Sequence, residues 1–208
     1  MKKLLWIGTV LVALVSYGCV ASRQVHYYTL TSAPPSGQAP APESPSILVG
    51  HIAASQALQD SRIRYRAGSN EVGTYEYQRW TDPPSLLVRE SLIHALRSTG
   101  RYRSVREAGS SSDGDYLVRG RLTEFSEIDR PGIETRVSLD IEVNDRKTGK
   151  LLLTRFYTHD EPVAGKEVAD VVRSIDLNLQ QILRDVVAGI DECVSGRSRS
   201  GTTSITGR

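Results

Sequence analysis

Between Arg136 and Asn144 the chain alternates strictly, with Val137, Leu139, Ile141 and Val143 on one side and Arg136, Ser138, Asp140, Glu142 and Asn144 on the other. A period of two is that of a strand with one face in a core and the other in water. The turn-rich run Asp145-Arg146-Lys147-Thr148-Gly149-Lys150 leads into Leu151 to Thr158, and together they predict a hairpin. A second hairpin follows from the alternating segments Arg62 to Arg66 and Thr74 to Trp80, separated by the break from Gly68 to Gly73. Aromatic and β-branched content adds strands at His26 to Leu30, Ser46 to Ile52, around Val105, and at Tyr116 to Ile128.

Two segments carry helical spacing instead. After Asp82-Pro83-Pro84-Ser85, where prolines suit a first turn and Asp82 offers a capping carboxylate, Val88, Leu92, Ala95 and Leu96, with Leu87 flanking, recur at three- and four-residue spacing, and Gly100 ends the run. From about Glu167 to Ile190, Val168, Val172, Ile175, Leu179, Ile182 and Val186 form one continuous stripe. A stripe of this kind covers one face of a sheet or seeds a coiled coil, and the first use is the commoner. The pattern predicts an α+β fold: a single domain over residues 26–193, a mostly antiparallel mixed sheet, and two amphipathic helices packed on one face. Residues 31–46 hold five of the nine prolines and read as an extended loop. Ser195 to Arg208 is, apart from Ile205, Gly, Ser, Thr and Arg without periodicity, and residues 194–208 are expected to be disordered.

The amino-terminal stretch obeys a different logic. Lys2 and Lys3 precede the apolar run Leu4 to Val15, and Val15-Ser16-Tyr17-Gly18 ends at Cys19. A basic start, an apolar stretch and small residues before a cut match a secretory signal over residues 1–18. The run is too short, and too broken by Gly8 and Thr9, for the roughly 20 apolar residues of a membrane span. Ser16 and Gly18 satisfy ordinary cleavage, while a cysteine directly after the cut resembles a bacterial lipobox with Ser16 in place of its usual leucine. On the lipobox reading Cys19 carries a diacylglyceryl group and an N-acyl chain, and residues 19–25 are a lipidated tether. Val20 stands where retention in the inner membrane would usually place Asp, so outer-membrane sorting is expected.

Removing residues 1–18 leaves 190 of the 208, enough for one proper core. The 26 Lys and Arg fall to 24 against 24 Asp and Glu, so nothing global points to nucleic acid or anionic lipid. Cys193 is then the one cysteine beside Cys19, which leaves no disulfide framework and no evident role for its thiol.

Catalytic chemistry finds little footing. Gly149-Lys150 and Gly165-Lys166 lack the remaining residues of a phosphate loop, no Gly-x-Ser-x-Gly elbow occurs, and His26, His51, His94 and His159 are scattered. Neither an enzyme, a metal site nor a cofactor is expected beyond the covalent lipid. Glu124, Glu127 and Asp129 have the composition for acid–base work, but acids at a strand end are usually a solvated edge.

One surface has candidate chemistry. Arg62, Arg64 and Arg66 on one strand stand beside Tyr75, Tyr77 and Trp80 on the next, and arginine forks with amphipathic rings suit an acidic protein surface or lipid headgroups. The alternative is a solvated face balanced by Glu71 and Glu76, with Trp80 in the core.

The order of these features carries a resemblance: the cysteine at 19, Tyr27-Tyr28-x-Leu30, a Pro-rich loop into Ile47-Leu48-Val49, an Arg/Tyr strand, Tyr75-x-Tyr77-x-x-Trp80 and a Pro-led helix. Together they resemble the auxiliary lipoproteins of ABC-type transport systems, the family of the outer-membrane lipoprotein of the paraquat-inducible system. That resemblance implies a non-catalytic periplasmic domain held at the outer membrane. Its implied partners are a mammalian-cell-entry-type protein and an inner-membrane ABC transporter that moves lipids across the envelope. Homo-oligomerisation is compatible with the long helix and flat hairpin. A lipoprotein assisting outer-membrane barrel assembly, or an envelope hydrolase, would be the competing identities.

Overall fold

A computed structural model of the chain describes residues 23–31, 40–68, 70–109, 113–129 and 132–201, with side chains as far as Gly196. The expected signal segment, Cys19, most of the Pro-rich loop and the last seven residues lie outside the described residues. The elements run β1 (His26–Tyr28), β2 (Ser46–Ala54), a 3-10 turn (Gln56–Leu58), β3 (Arg62–Ala67), β4 (Glu71–Trp80), α1 (Pro84–Ser98), β5 (Ser104–Glu107), β6 (Tyr116–Asp129), β7 (Ile133–Asp145), β8 (Leu151–Pro162) and α2 (Val168–Gly201). All eight strands join one mixed sheet, and both helices lie against it.

β6 organises that sheet. Along its whole length one edge pairs antiparallel with β7, from Tyr116 opposite Asp145 to Asp129 opposite Ile133. The other edge is shared: β2 pairs parallel with residues 116–122, and β3 pairs parallel with residues 127–129. β2 and β3 are therefore successive stretches along one edge, interrupted where the chain leaves for the turn at Gln56–Leu58. Beyond them β5 pairs parallel with β2, β4 pairs antiparallel with β3, and β1 closes the far side parallel to β4. The two longest ladders, β6 with β7 and β7 with β8, are antiparallel as the alternation anticipates. Four shorter pairings are parallel, a feature that local periodicity does not carry.

The alternating residues divide as their chemistry requires. Val137, Leu139, Ile141 and Val143 are 0 % exposed under the helices. On the opposite face, unlike charges stand directly across the ladder, Arg119 against Glu142, Arg121 against Asp140 and Arg136 against Asp160. Cross-strand pairs of this kind stabilise a sheet modestly while keeping the face wet. Arg136 Nε donates to Asp160 Oδ1 at 2.6 Å. The turn between β7 and β8 is built as its sequence suggests: Asp145 Oδ1 accepts from the Thr148 amide at 2.7 Å and hydroxyl at 2.9 Å, and Gly149 takes the left-handed φ of 70° that a side chain would strain.

α1 starts differently from expectation. Pro83 occupies the capping position, no side chain caps the helix, and the Leu86 and Leu87 amides bond the Pro83 carbonyl at 2.9 and 3.1 Å. The carboxylate of Asp82 is not used, since Asp82 stands one residue before the capping position that Pro83 takes. In α2 the stripe from Val172 to Val186 is buried, so it covers the sheet rather than awaiting a coiled-coil partner. The helix also continues past the expected boundary at residue 193, to Gly201, and Val194 packs into the core at 3 % exposure. Expected disorder at the start of the tail is thus corrected: Val194 extends the stripe by eight residues beyond Val186, enough to keep the helix attached.

A polar lock fixes the register of α2. Asn178 is fully buried and its Nδ2 donates to the Thr135 carbonyl at 2.9 Å and the His159 carbonyl at 3.0 Å, spanning β7 and β8. One turn earlier Ser174 Oγ lies 2.9 Å from Thr135 Oγ1 and donates to the Glu161 carbonyl at 3.0 Å. Buried acceptors stripped of their donor cost about 1–3 kcal/mol. Asn178→Ala is expected to lower the free energy of unfolding by that amount in urea titration, whereas Leu177→Ala, on the exposed side, should leave the midpoint unchanged.

The start of β2 is pinned by a charge. Asp115 Oδ2 accepts from the Ser46 hydroxyl at 2.7 Å and the Ser46 amide at 2.8 Å, with Arg103 at 3.7 Å. These bonds, the hydroxyl first, hold the Asp115 carboxyl below its ordinary value. A folded-state pKa below the unfolded one contributes stability above the unfolded value of about 3.8, and that contribution is lost as pH falls through the folded value. Denaturant midpoints measured from pH 6 down to pH 3 should therefore fall more steeply for the wild type than for Asp115→Asn.

Candidate functional site

The six residues expected to share a surface on β3 and β4 separate into three environments. The cause is a bulge: Arg64 pairs with Thr74 and Arg66 with Val72, but Arg62 pairs with Arg79, so the residues between Thr74 and Arg79 crowd against one residue of β3. Such an irregularity changes which side chains share a face.

Trp80 goes to the core. It is 1 % exposed, with its ring centroid 5.4 Å from that of Phe125. Its place among surface contacts is thereby corrected; it is opposite in parity to Tyr77 and Arg79, and that parity was readable in the sequence. Tyr75 also turns inward, meeting Tyr65 edge to face at 5.4 Å and donating to Glu127 Oε2 at 2.6 Å. Burial, reinforced by the neighbouring carboxylate, pushes the Tyr75 hydroxyl well above its usual value, so it remains a donor. Gly73 makes this possible, since a Cβ there would stand 2.3 Å from the Tyr65 ring.

Arg66 is spent on a different acid. Its Nη1 donates to Glu124 Oε2 at 2.8 Å, while Ser126 Oγ donates to Glu124 Oε1 at 2.7 Å. Of the carboxylates considered for acid–base chemistry, Glu124 is thus held by Arg66 and Ser126, and Glu127 by Tyr75. Arg64 is half-buried beside Thr74. Among the described residues no cluster of three or more His, Cys, Asp or Glu could hold a metal ion.

Arg62 and Tyr77 come together on the outward side, joined by residues that sequence reasoning passed over. Arg79 lies opposite both Arg62 on β3 and Tyr27 on β1, and the Arg23 guanidinium sits 5.4 Å above the Tyr77 ring. Tyr27 is 64 % exposed. Asp60 ion-pairs Arg62 at 2.6 Å, and its carboxyl is held below the ordinary range by that hydrogen bond first and by Arg79 in addition. The alternation of Tyr77 and Arg79 was the available signal for this face; the arrival of β1 was not legible, because a parallel strand pairing leaves no local trace.

A second feature was invisible from the sequence. α1 and α2 diverge to leave an open groove of about 1110 Å³, floored by Ala95, Leu179, Leu183 and Val187 and rimmed by Arg101, Arg184 and Glu192. Its two ends are pinned. At one, the Thr31 amide donates to Asp176 Oδ1 at 3.2 Å; at the other, Arg101 and the Tyr102 hydroxyl both donate to Asp191. Burial, then the Asp191 carboxylate, keeps the Tyr102 proton in place. An apolar floor with a rim of both signs can seat a surface or a chain.

Residues 28–187, from the end of β1 through most of α2, match the family model described as the ABC-type transport auxiliary lipoprotein component. The chain belongs to that family. The match takes in every strand after β1, all of α1 and α2 as far as Val187, and it bears out the resemblance drawn from Tyr28-x-Leu30, Ile47-Leu48-Val49, Tyr75-x-Tyr77-x-x-Trp80 and the Pro-led helix. No functionally curated protein matches this auxiliary lipoprotein. Among solved structures it is similar to protein XCC0632 from Xanthomonas campestris, with a TM-score of 0.72 at 18 % identity over 86 % of this chain and 100 % of that one. An uncharacterised protein aligns at a TM-score of 0.65 and 16 % identity, over 81 % and 99 % of the two chains. Lipoprotein GNA1162 from Neisseria meningitidis is more distant, with a TM-score of 0.41 at 14 % identity over 71 % and 99 %. The first two share the fold. Among the described residues of the auxiliary lipoprotein, no helix is long and apolar enough to cross a membrane.

Proposed function

We propose that this protein is a non-catalytic periplasmic lipoprotein, anchored through lipid on Cys19 in the outer membrane, that serves an ABC-type lipid transport system with a mammalian-cell-entry-type partner. The family match over residues 28–187 carries the reading, because it spans the fold rather than a motif. Cys19 stands nine residues before that match, directly behind a signal-like segment. The engaged state of Glu124, Glu127 and Tyr75 supports a binding role over a catalytic one. On this reading the groove between α1 and α2 is the surface offered to the transport partner.

A photocrosslinking residue in place of Ala188, which lies exposed on the groove, tests the assignment in intact cells. The expected product joins the protein to the periplasmic or inner-membrane component of an ABC system, identified by mass spectrometry. Capture of an outer-membrane β-barrel alone would replace the transport reading with barrel assembly.

A further inference from the structure

The outward cluster on β1, β3 and β4 lies unusually close in sequence to the anchor. Arg23 follows Cys19 by four residues, so it can stand no more than about 14 Å from that cysteine at roughly 3.4 Å per residue. Tyr27, Tyr77, Arg62 and Arg79 are then placed around Arg23 by strand pairing, since Arg79 is opposite both Tyr27 and Arg62 and the Tyr77 ring is under the Arg23 guanidinium. Whatever surface holds the anchor must be near this patch.

Its chemistry suits such a surface. Tyrosine places an apolar ring and a polar tip at a membrane interface, and arginine sets a guanidinium at phosphate level while its stem stays in the apolar layer. Arg23, Arg62 and Arg79 face two acids, Asp60 and Glu76, which leaves one positive charge in excess. The Glu76 carboxylate beside Tyr77 pushes that hydroxyl's pKa up, which keeps its proton in place. Trp80 and Tyr28 occupy the opposite face of the same strands, packed on the core, so the patch projects away from the helices.

We propose that Arg23, Tyr27, Arg62, Tyr77 and Arg79 form a docking patch for phospholipid headgroups, which lays the outward side of β1 and β4 on the bilayer that holds Cys19. The inference rests on the lipid-anchor reading and goes beyond it: the anchor alone would let the domain tumble, whereas the patch orients it and turns the α1–α2 groove away from the membrane. A weak, one-charge patch suffices because the tether keeps the effective concentration high.

The test uses the full acylated protein in vesicles of phosphatidylethanolamine and phosphatidylglycerol. Cys193→Ser removes the free thiol, and a nitroxide is placed by Tyr27→Cys or, as a control on the helix layer, by Leu177→Cys. Collision with aqueous nickel chelate should be several-fold lower at position 27 than at 177, and combining Arg23→Gln with Arg79→Gln should remove most of the difference. Intact mass spectrometry of the same sample reports acylation of Cys19. Acylated protein with position 27 as accessible as 177 overturns the patch and leaves the anchor standing. Unacylated protein overturns the anchor reading and the inference with it. Shielding at 27 that appears only after an envelope transport protein is added overturns the membrane as the occupant.

Discussion

Cys19→Ser is expected to move the whole population of the protein from carbonate-washed membranes into the soluble periplasmic fraction. The size of the effect follows from the anchor being additive in methylenes: each contributes about 0.8 kcal/mol of burial, so one chain of myristoyl length binds marginally and several hold essentially permanently. Serine cannot form the thioether, yet Ser16 and Gly18 still satisfy ordinary signal cleavage, so export itself should continue. No described helix can substitute for the lipid by crossing the membrane. Carbonate strips protein held only by partners or by headgroup contacts, which isolates the covalent anchor as the variable. A variant that still pellets after that wash would show that something other than acyl chains retains the protein, and the proposed localisation would fail.

Trp80→Ala is expected to produce the largest loss of stability of any single change on the hairpin of β3 and β4. A buried tryptophan truncated to alanine costs about 3–5 kcal/mol, from lost transfer energy and from the cavity left behind. The space is not expected to close, since Trp80 packs on Phe125 and both rings lie 1 % exposed within the core. For a domain of this size the midpoint of thermal unfolding should fall by roughly 6–20 °C, at about 2–4 °C per kcal/mol. Tyr27→Ala, on the neighbouring strand but on its outward side, should change it little. Differential scanning calorimetry of both variants separates the core from the surface members of the cluster; equal losses would mean that the outward residues also carry the fold.

The contrast between those residues shows where sequence reasoning reached and where it stopped. Val137 to Val143 and Val172 to Val186 were legible because burial repeats with the period of the element itself, two in a strand and between three and four in a helix. Asp145, Thr148 and Gly149 were legible for a related reason, since a turn is closed by atoms only a few residues apart. Trp80, Tyr75 and Tyr77 were grouped together because they follow one another in a strand, yet they end in the core, against Glu127 and under Arg23 respectively. A bulge between Arg62 and Arg64 shifts the register, and no local pattern announces it.

By itself, the sequence determined the elements, their amphipathic faces and the family features, and it carries the expectation of an export signal over residues 1–18. Tertiary structure alone decided that β2 and β3 share one edge of β6, that α2 is locked in register by Asn178, that a groove opens between the helices, and that Arg23 and Arg79 join Arg62 and Tyr77 on one surface. The physical reason is the range of the interactions: periodic burial is written every two to four residues, whereas parallel pairing, helix register and composite surfaces depend on contacts between residues tens of positions apart.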